Sequence, residues 1–181
     1  MNKKKTDNTP EKKNLKKTTK RTPSKALPSG YKKAAHPDFP IVGIGASAGG
    51  LEALELFLRN VPPKSGMAFV IIQHLDPTHK GIMVELLQRA TAMKVIHVKD
   101  RTKIKPSHVY VIPPNKDMSI LNGVLHLLDP VAPRGLRLPI DYFFRSLADD
   151  SEERSIGVIL SGMGTDGTMG LKAIKRSCIW L

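Results

Sequence analysis

The stretch Pro40-Ile-Val-Gly-Ile-Gly-Ala-Ser-Ala-Gly-Gly-Leu51 constrains the chain more than any other. Ile41, Val42 and Ile44 read as a short buried strand, and the glycines that follow force a tight turn into a helix starting near Gly50. Ser47 is therefore lifted out of a sheet at a strand-to-helix junction. Gly45-Ala46-Ser47-Ala48-Gly49 fits the pattern G-x-S-x-G, in which small neighbours let a strained turn present a serine oxygen at the carboxyl edge of a sheet.

The elements downstream extend this start into a fold class. Leu51, Leu54, Leu58 and Val61 recur at helical spacing until Pro62-Pro63 ends the run. Met67–Ile72 is a continuous apolar run that predicts a strand buried on both faces, paired in parallel with the first because a helix lies between them. A helix over about 81–92, strands at 94–98 and 108–112, a helix near 139–149, a strand at 156–160 and a last helix from about Thr168 follow. Asn122-Gly123 between Met118–Leu121 and Val124–Leu128 predicts a tight hairpin. Strands alternating with helices predict an α/β fold, a doubly wound, mainly parallel, Rossmann-like three-layer sheet with an antiparallel hairpin added.

Charge separates this body from what precedes it. The 181 residues carry a net charge of +13, from 29 Lys/Arg and 16 Asp/Glu, of which residues 1–40 hold 12 and 3, leaving 17 and 13 for the rest. Residues 1–37, rich in Lys, Thr, Pro and Ser, hold too little apolar surface to offset their ordering entropy and are expected to be a disordered tail ahead of a domain at 38–181. Such a tail suits loose contact with an anionic surface or no partner at all, and without interleaved aromatics it predicts no specific nucleic-acid site. No apolar run approaches the ~20 residues of a membrane span, no signal peptide is legible, and the single cysteine, Cys178, rules out an intramolecular disulfide. A cytoplasmic protein is expected.

Three reactive side chains fall at the carboxyl ends of predicted strands, where ligands bind in open parallel sheets. Ser47 follows the first, His74 the Met67–Ile72 strand, and Asp166 lies in the loop Ser161–Gly167 after the 156–160 strand. A serine hydroxyl attacks only when a base takes its proton, an imidazole can be that base, and a carboxylate can orient the imidazole. An oxyanion would need N–H donors, which the glycine-flanked backbone around Met163 or the turn after Ser47 could supply. Duller readings stand beside these. The glycines fit a phosphate-cradling turn nearly as well as a nucleophile turn, although the spacing is one residue too long for G-x-G-x-x-G. His74 could be structural, and Asp166 could be a turn residue or a helix cap. His74, Asp76 and His79 match no common metal-ligand spacing, so neither metal nor cofactor is expected.

Five ordered stretches go further: Val42–Leu51, Ile72-Gln-His-Leu75, Val109-Tyr-Val-Ile-Pro-Pro-Asn115, Arg137-Leu-Pro-Ile-Asp141 and Ile159-Leu-Ser-Gly-Met-Gly-Thr-Asp-Gly167. Together they resemble the catalytic domain of CheB-type protein-glutamate methylesterases, the chemotaxis receptor methylesterases, over about 38–175. Gln73-His-Leu-Asp-Pro-Thr-His79 and Pro133-Arg-Gly-Leu-Arg-Leu-Pro-Ile-Asp141 look most like the version fused to receptor methyltransferases.

The resemblance implies Ser47 as nucleophile, His74 as general acid/base, Asp166 as the residue orienting it and the Met163 amide as an oxyanion donor. The implied reaction is hydrolysis of γ-glutamyl methyl esters on the cytoplasmic helices of methyl-accepting chemoreceptors, with deamidation of receptor glutamines in some relatives. A receptor methyltransferase is a further partner it suggests. Against the family pattern, the basic tail stands where a receiver domain would be. The ending Arg176-Ser-Cys-Ile-Trp-Leu181 stands where a glycine turn, a strand and more helix would follow, so a C-terminally shortened domain is expected. The competing expectations are a catalytically silent remnant that binds proteins and a nucleotide-binding Rossmann-type domain; against the latter, Gln73-His74 stands where an acidic ribose partner would be expected.

Overall fold

The structure, a computed structural model, describes residues 36–47, 49–73, 82–133, 136–161 and 164–177. Five strands form a parallel sheet: β1 (Ile41–Ala46), β2 (Ala68–Gln73), β3 (Lys94–His97), β5 (His108–Val111) and β8 (Ser155–Ser161), in the order β3-β5-β2-β1-β8. The helices are α1 (Gly50–Arg59), α2 (Ile82–Ala90), α3 (Pro139–Ser151) and α4 (Thr168–Ser177).

Alternation along the strands builds two cores, one on each face of the sheet. Val42, Ile44 and Ala46 of β1 and Phe69 and Ile71 of β2 meet Leu54 and Leu58 of α1 and Leu87 of α2. Ile41, Ala68, Val70 and Ile72 point the other way, to Ile140, Phe143, Phe144 and Leu147 of α3 and Ile174 of α4. The period of two in side-chain direction divides the residues between the faces, and both faces are covered, as the apolar run in β2 predicts. This is the expected three-layer α/β architecture.

On the α3 face, β1 offers Gly43 and Gly45 where large residues would otherwise stand. A Cβ on Gly43 would lie 2.8 Å from Phe144 Cε1, and one on Gly45 would lie 2.6 Å from Ile140 Cγ2. The two glycines thus let α3 lie directly on the strand, a packing role that accounts for the G-x-G without a bound phosphate.

The hairpin forms as expected, β6 (Asp117–Leu121) against β7 (Val124–Leu128), with Asn122 at φ 52° and Gly123 at φ 69°. Positive φ at both central residues is what a type I′ turn requires. A two-residue strand the sequence reading missed, β4 (Thr102–Lys103), pairs with β7, so the hairpin belongs to a separate three-stranded antiparallel sheet. Asp150, buried at the end of α3, accepts the N–H of Asn122 and, at 3.3 Å, that of Gly123. The helix thereby holds the turn.

The tail expected at 1–37 lies outside the described residues except for His36 and Pro37. Pro37 packs on the hairpin turn, its Cγ 2.5 Å from where a Gly123 Cβ would be, and His36 Nδ1 lies 3.7 Å from Asp150 Oδ1. No helix among the described residues is long and apolar enough to cross a membrane.

Candidate active site

β1 leads into α1 on one face of the sheet, and its neighbour β8 leads into α4 on the other. Connections leaving adjacent parallel strands towards opposite faces open a crevice at their carboxyl ends, the topological switch point where open α/β sheets bind ligands. Ser47 stands at one lip and Asp166 in the connection forming the other.

The turn at Ser47 is built from small residues for identifiable reasons. Gly49 takes φ 80°, and a Cβ on Gly50 would sit 2.6 Å from the Ala46 Cβ, so the helix starts tight against the strand it leaves. The Gly50 N–H donates to the Ser47 carbonyl at 2.9 Å, and the Ser47 N–H donates to the Ser161 carbonyl at 3.0 Å. That second bond depends on an irregularity. Between Gly45↔Ile159 and Ala46↔Ser161 the pairing shifts by one residue, a bulge at the end of β8 that brings Ser161 level with the turn. The Gln73 amide nitrogen reaches the Ser47 carbonyl at 3.5 Å, the long limit of a hydrogen bond, while its Oε1 is buried with no partner among the described residues.

The two lips share a support. A Cβ on Gly167 would lie 2.5 Å from Ile159 Cδ1 and 2.9 Å from Ile140 Cγ2, the same two side chains that crowd Gly45. Ser47, two residues beyond Gly45, and Asp166, one before Gly167, are thus set by backbone resting on one pair of isoleucines.

Asp166 proves to be a helix cap, although not of its own helix. Its Oδ2 accepts the Ile140 N–H at 3.1 Å and its Oδ1 the Asp141 N–H at 2.9 Å. These are the free donors in the first turn of α3, where Pro139 has none and the preceding Leu138 has no polar side chain to offer. A carboxylate has about four acceptor positions, so this capping is compatible with a further partner. His74, its expected partner, and Met163, the expected oxyanion donor, lie outside the described residues, as do Asp76, His79 and Cys178.

Two neighbours that carried no expected role are charged. Burial pushes the Asp117 carboxyl above the usual aspartate range, the Arg137 guanidinium draws it back down, and the Asp166 carboxylate pushes it up. Arg137 itself is anchored by donating from Nε to the Ala132 carbonyl at 2.7 Å. Asp141 is a third residue to which the sequence reading gave no role, although it stands in one of the matching stretches. Its signal was an acid in the first turn of a helix whose N-cap is apolar.

A parallel α/β sheet with a serine on a glycine turn at its switch point, hydrogen-bonded to the strand that leads to Asp166, defines the class as an open α/β protein with its crevice at the carboxyl ends of β1 and β8. The comparisons with known proteins narrow this. A family model described as CheB methylesterase matches residues 42–180, and the chain belongs to that family. It is similar to proteins named protein-glutamate methylesterase/protein-glutamine glutaminase: 36% identical over 141 residues to one from Desulfotalea psychrophila, covering 74% of this chain and 38% of that one, and 33% identical over 141 residues to one from Yersinia pestis bv. Antiqua, covering 76% and 40%. The chain thus spans about 40% of the length of these curated relatives. Among solved structures, the crystal structure of the Thermotoga maritima CheB methylesterase catalytic domain matches with a TM-score of 0.70 and 28% identity, over 78% of this chain and 77% of that one.

Proposed function

We propose that the chain is a serine hydrolase that removes methyl groups from γ-glutamyl methyl esters of chemoreceptor cytoplasmic helices, and that the same acyl-transfer steps serve deamidation of receptor glutamines. The observation that carries this reading is the Ser47 turn at the β1/β8 switch point, tied to Ser161 at the end of the strand that leads to Asp166, in a chain of the CheB methylesterase family.

In the proposed reaction the Ser47 hydroxyl attacks the γ-carbonyl carbon as His74 takes its proton. The tetrahedral oxyanion is held by backbone N–H donors, that of Met163 among them. Collapse breaks the C–O bond to the methoxy group, which leaves as methanol with the proton from His74. Water, deprotonated by the same imidazole, then releases glutamate from the acyl-enzyme. Asp166 orients the imidazole and stabilises its charged form, and its anchorage at the start of α3 supports that role.

Mass spectrometry of a methylated receptor fragment, read at each modified glutamate, tests the roles. Ser47→Ala and His74→Ala are each expected to lower demethylation by at least ~10³-fold. Demethylation that persists in Ser47→Ala would reject the serine mechanism. The basic segment at 1–37 adds a further proposal, contact with anionic surfaces, expected to weaken steeply with salt.

A further inference from the structure

Two helices meet at this site, and the residue just before each has no polar side chain. The residue before α3 is Leu138 and the residue before α4 is Gly167, so neither offers a side-chain acceptor to the first free N–H groups. Each helix borrows an aspartate from the other. Asp166, just before α4, caps α3 through Ile140 and Asp141. Asp141, in the first turn of α3, accepts the Gly170 N–H of α4 at 2.6 Å, and its carboxylate is buried.

The exchange is reciprocal at a single residue. The Asp141 N–H holds Asp166, and the Asp141 side chain holds the helix that begins two residues after Asp166. The contact leaves little slack, because a Cβ on Gly170 would lie 2.5 Å from Phe144 Cβ and 3.2 Å from the Asp141 backbone. Within the loop, Thr168 N–H to Thr165 O at 3.2 Å and Leu171 N–H to Gly167 O at 2.8 Å make the segment carrying Asp166 continuous with α4. Where α4 sits, Asp166 sits.

We propose that Asp141 is a positioning residue for the reaction, its N–H and its carboxylate together clamping Asp166 and the start of α4 in one geometry. The proposal rests on the serine-hydrolase reading above. Misplacement of a catalytic group by about an ångström costs on the order of 10²-fold in rate, which sets the size of the effect.

The test is a double-mutant cycle on the full chain, reading the rate at which a fluorophosphonate modifies Ser47, scaled to the folded fraction from circular dichroism. Asp141→Ala is expected to slow labelling about 10- to 100-fold. Asp141→Asn, which keeps an acceptor oxygen for Gly170, is expected to label within about 3-fold of the parent. In an Asp166→Ala background the Asp141→Ala change should cost less than about 2-fold, because there is no longer a carboxylate to position.

Equal losses in both backgrounds would show a general structural role and overturn the proposal, as would an unchanged rate for Asp141→Ala. Should Asp141→Ala fail to fold, Asp141→Glu takes its place in the cycle, with the acceptor displaced by one methylene and the same dependence on Asp166 expected. Labelling of Ser47 without methanol release would reject the ester substrate while leaving the cycle to be read. No labelling of the parent chain would reject both.

Discussion

Asp166 accepts two backbone N–H groups at the start of α3, so its substitution reads out in stability as well as in turnover. Asp166→Ala is expected to lower the unfolding free energy by about 1–2 kcal/mol in urea titration, the loss of a helix cap, in addition to its effect on the reaction. Asp150 is the sharper case. Its buried carboxylate serves two turn N–H groups, and Asp150→Ala leaves both without that acceptor at a cost of about 2–4 kcal/mol. Two other aspartates carry opposite pH signatures. The Leu127 N–H donated to Asp100 holds its carboxyl below the ordinary 3.8, so its stabilisation is present above that pH and is lost on acidification through its folded value. Asp117, pushed up mainly by burial, penalises the folded state once ionised. Asp117→Asn is therefore expected to be more stable than the parent at neutral pH, with the gap closing as pH falls through the raised value. Asp100→Ala should be less stable at neutral pH, with its gap closing at still lower pH.

Among the elements, what was legible in the sequence is what local chemistry dictates. Asn122-Gly123 announced its turn because few residue pairs accept positive φ twice, and the residues facing each core in β1 and β2 follow from alternation alone. β4, at two residues, is too short for any period to show. The crossed caps were illegible for a different reason. Asp166 and its donors Ile140 and Asp141 lie far apart in sequence, and an aspartate between glycines reads locally as a turn. The reading of Asp166 as a cap was available, but the helix it caps could only be found in three dimensions. Gly43 and Gly45 are ambiguous in sequence for the same reason, since a G-x-G is common to phosphate turns and to strands on which a helix lies close. Gly170 offers a test of that close packing. Alanine there gains about 1 kcal/mol of helix propensity but must displace Phe144 at its Cβ, an atom with little freedom. Gly170→Ala is expected to destabilise by about 1–2 kcal/mol net in thermal or urea unfolding.

For the molecule as a whole, three layers bring the ends of β1 and β8 together, and the shared isoleucines and the crossed aspartates fix the two lips against each other. Ser47 was legible because its turn needs small residues in sequence. The rigidity of the opposite lip was not, because it comes from helices that meet only in the fold. The chemistry proposed for this crevice is hydrolysis of glutamyl methyl esters through Ser47. Methanol release from a methylated chemoreceptor fragment, compared between the 181-residue chain and its Ser47→Ala variant, tests it most directly. Release from the parent and a loss of at least ~10³-fold in the variant are expected. Equal release from both, or none from a folded parent chain, would contradict it.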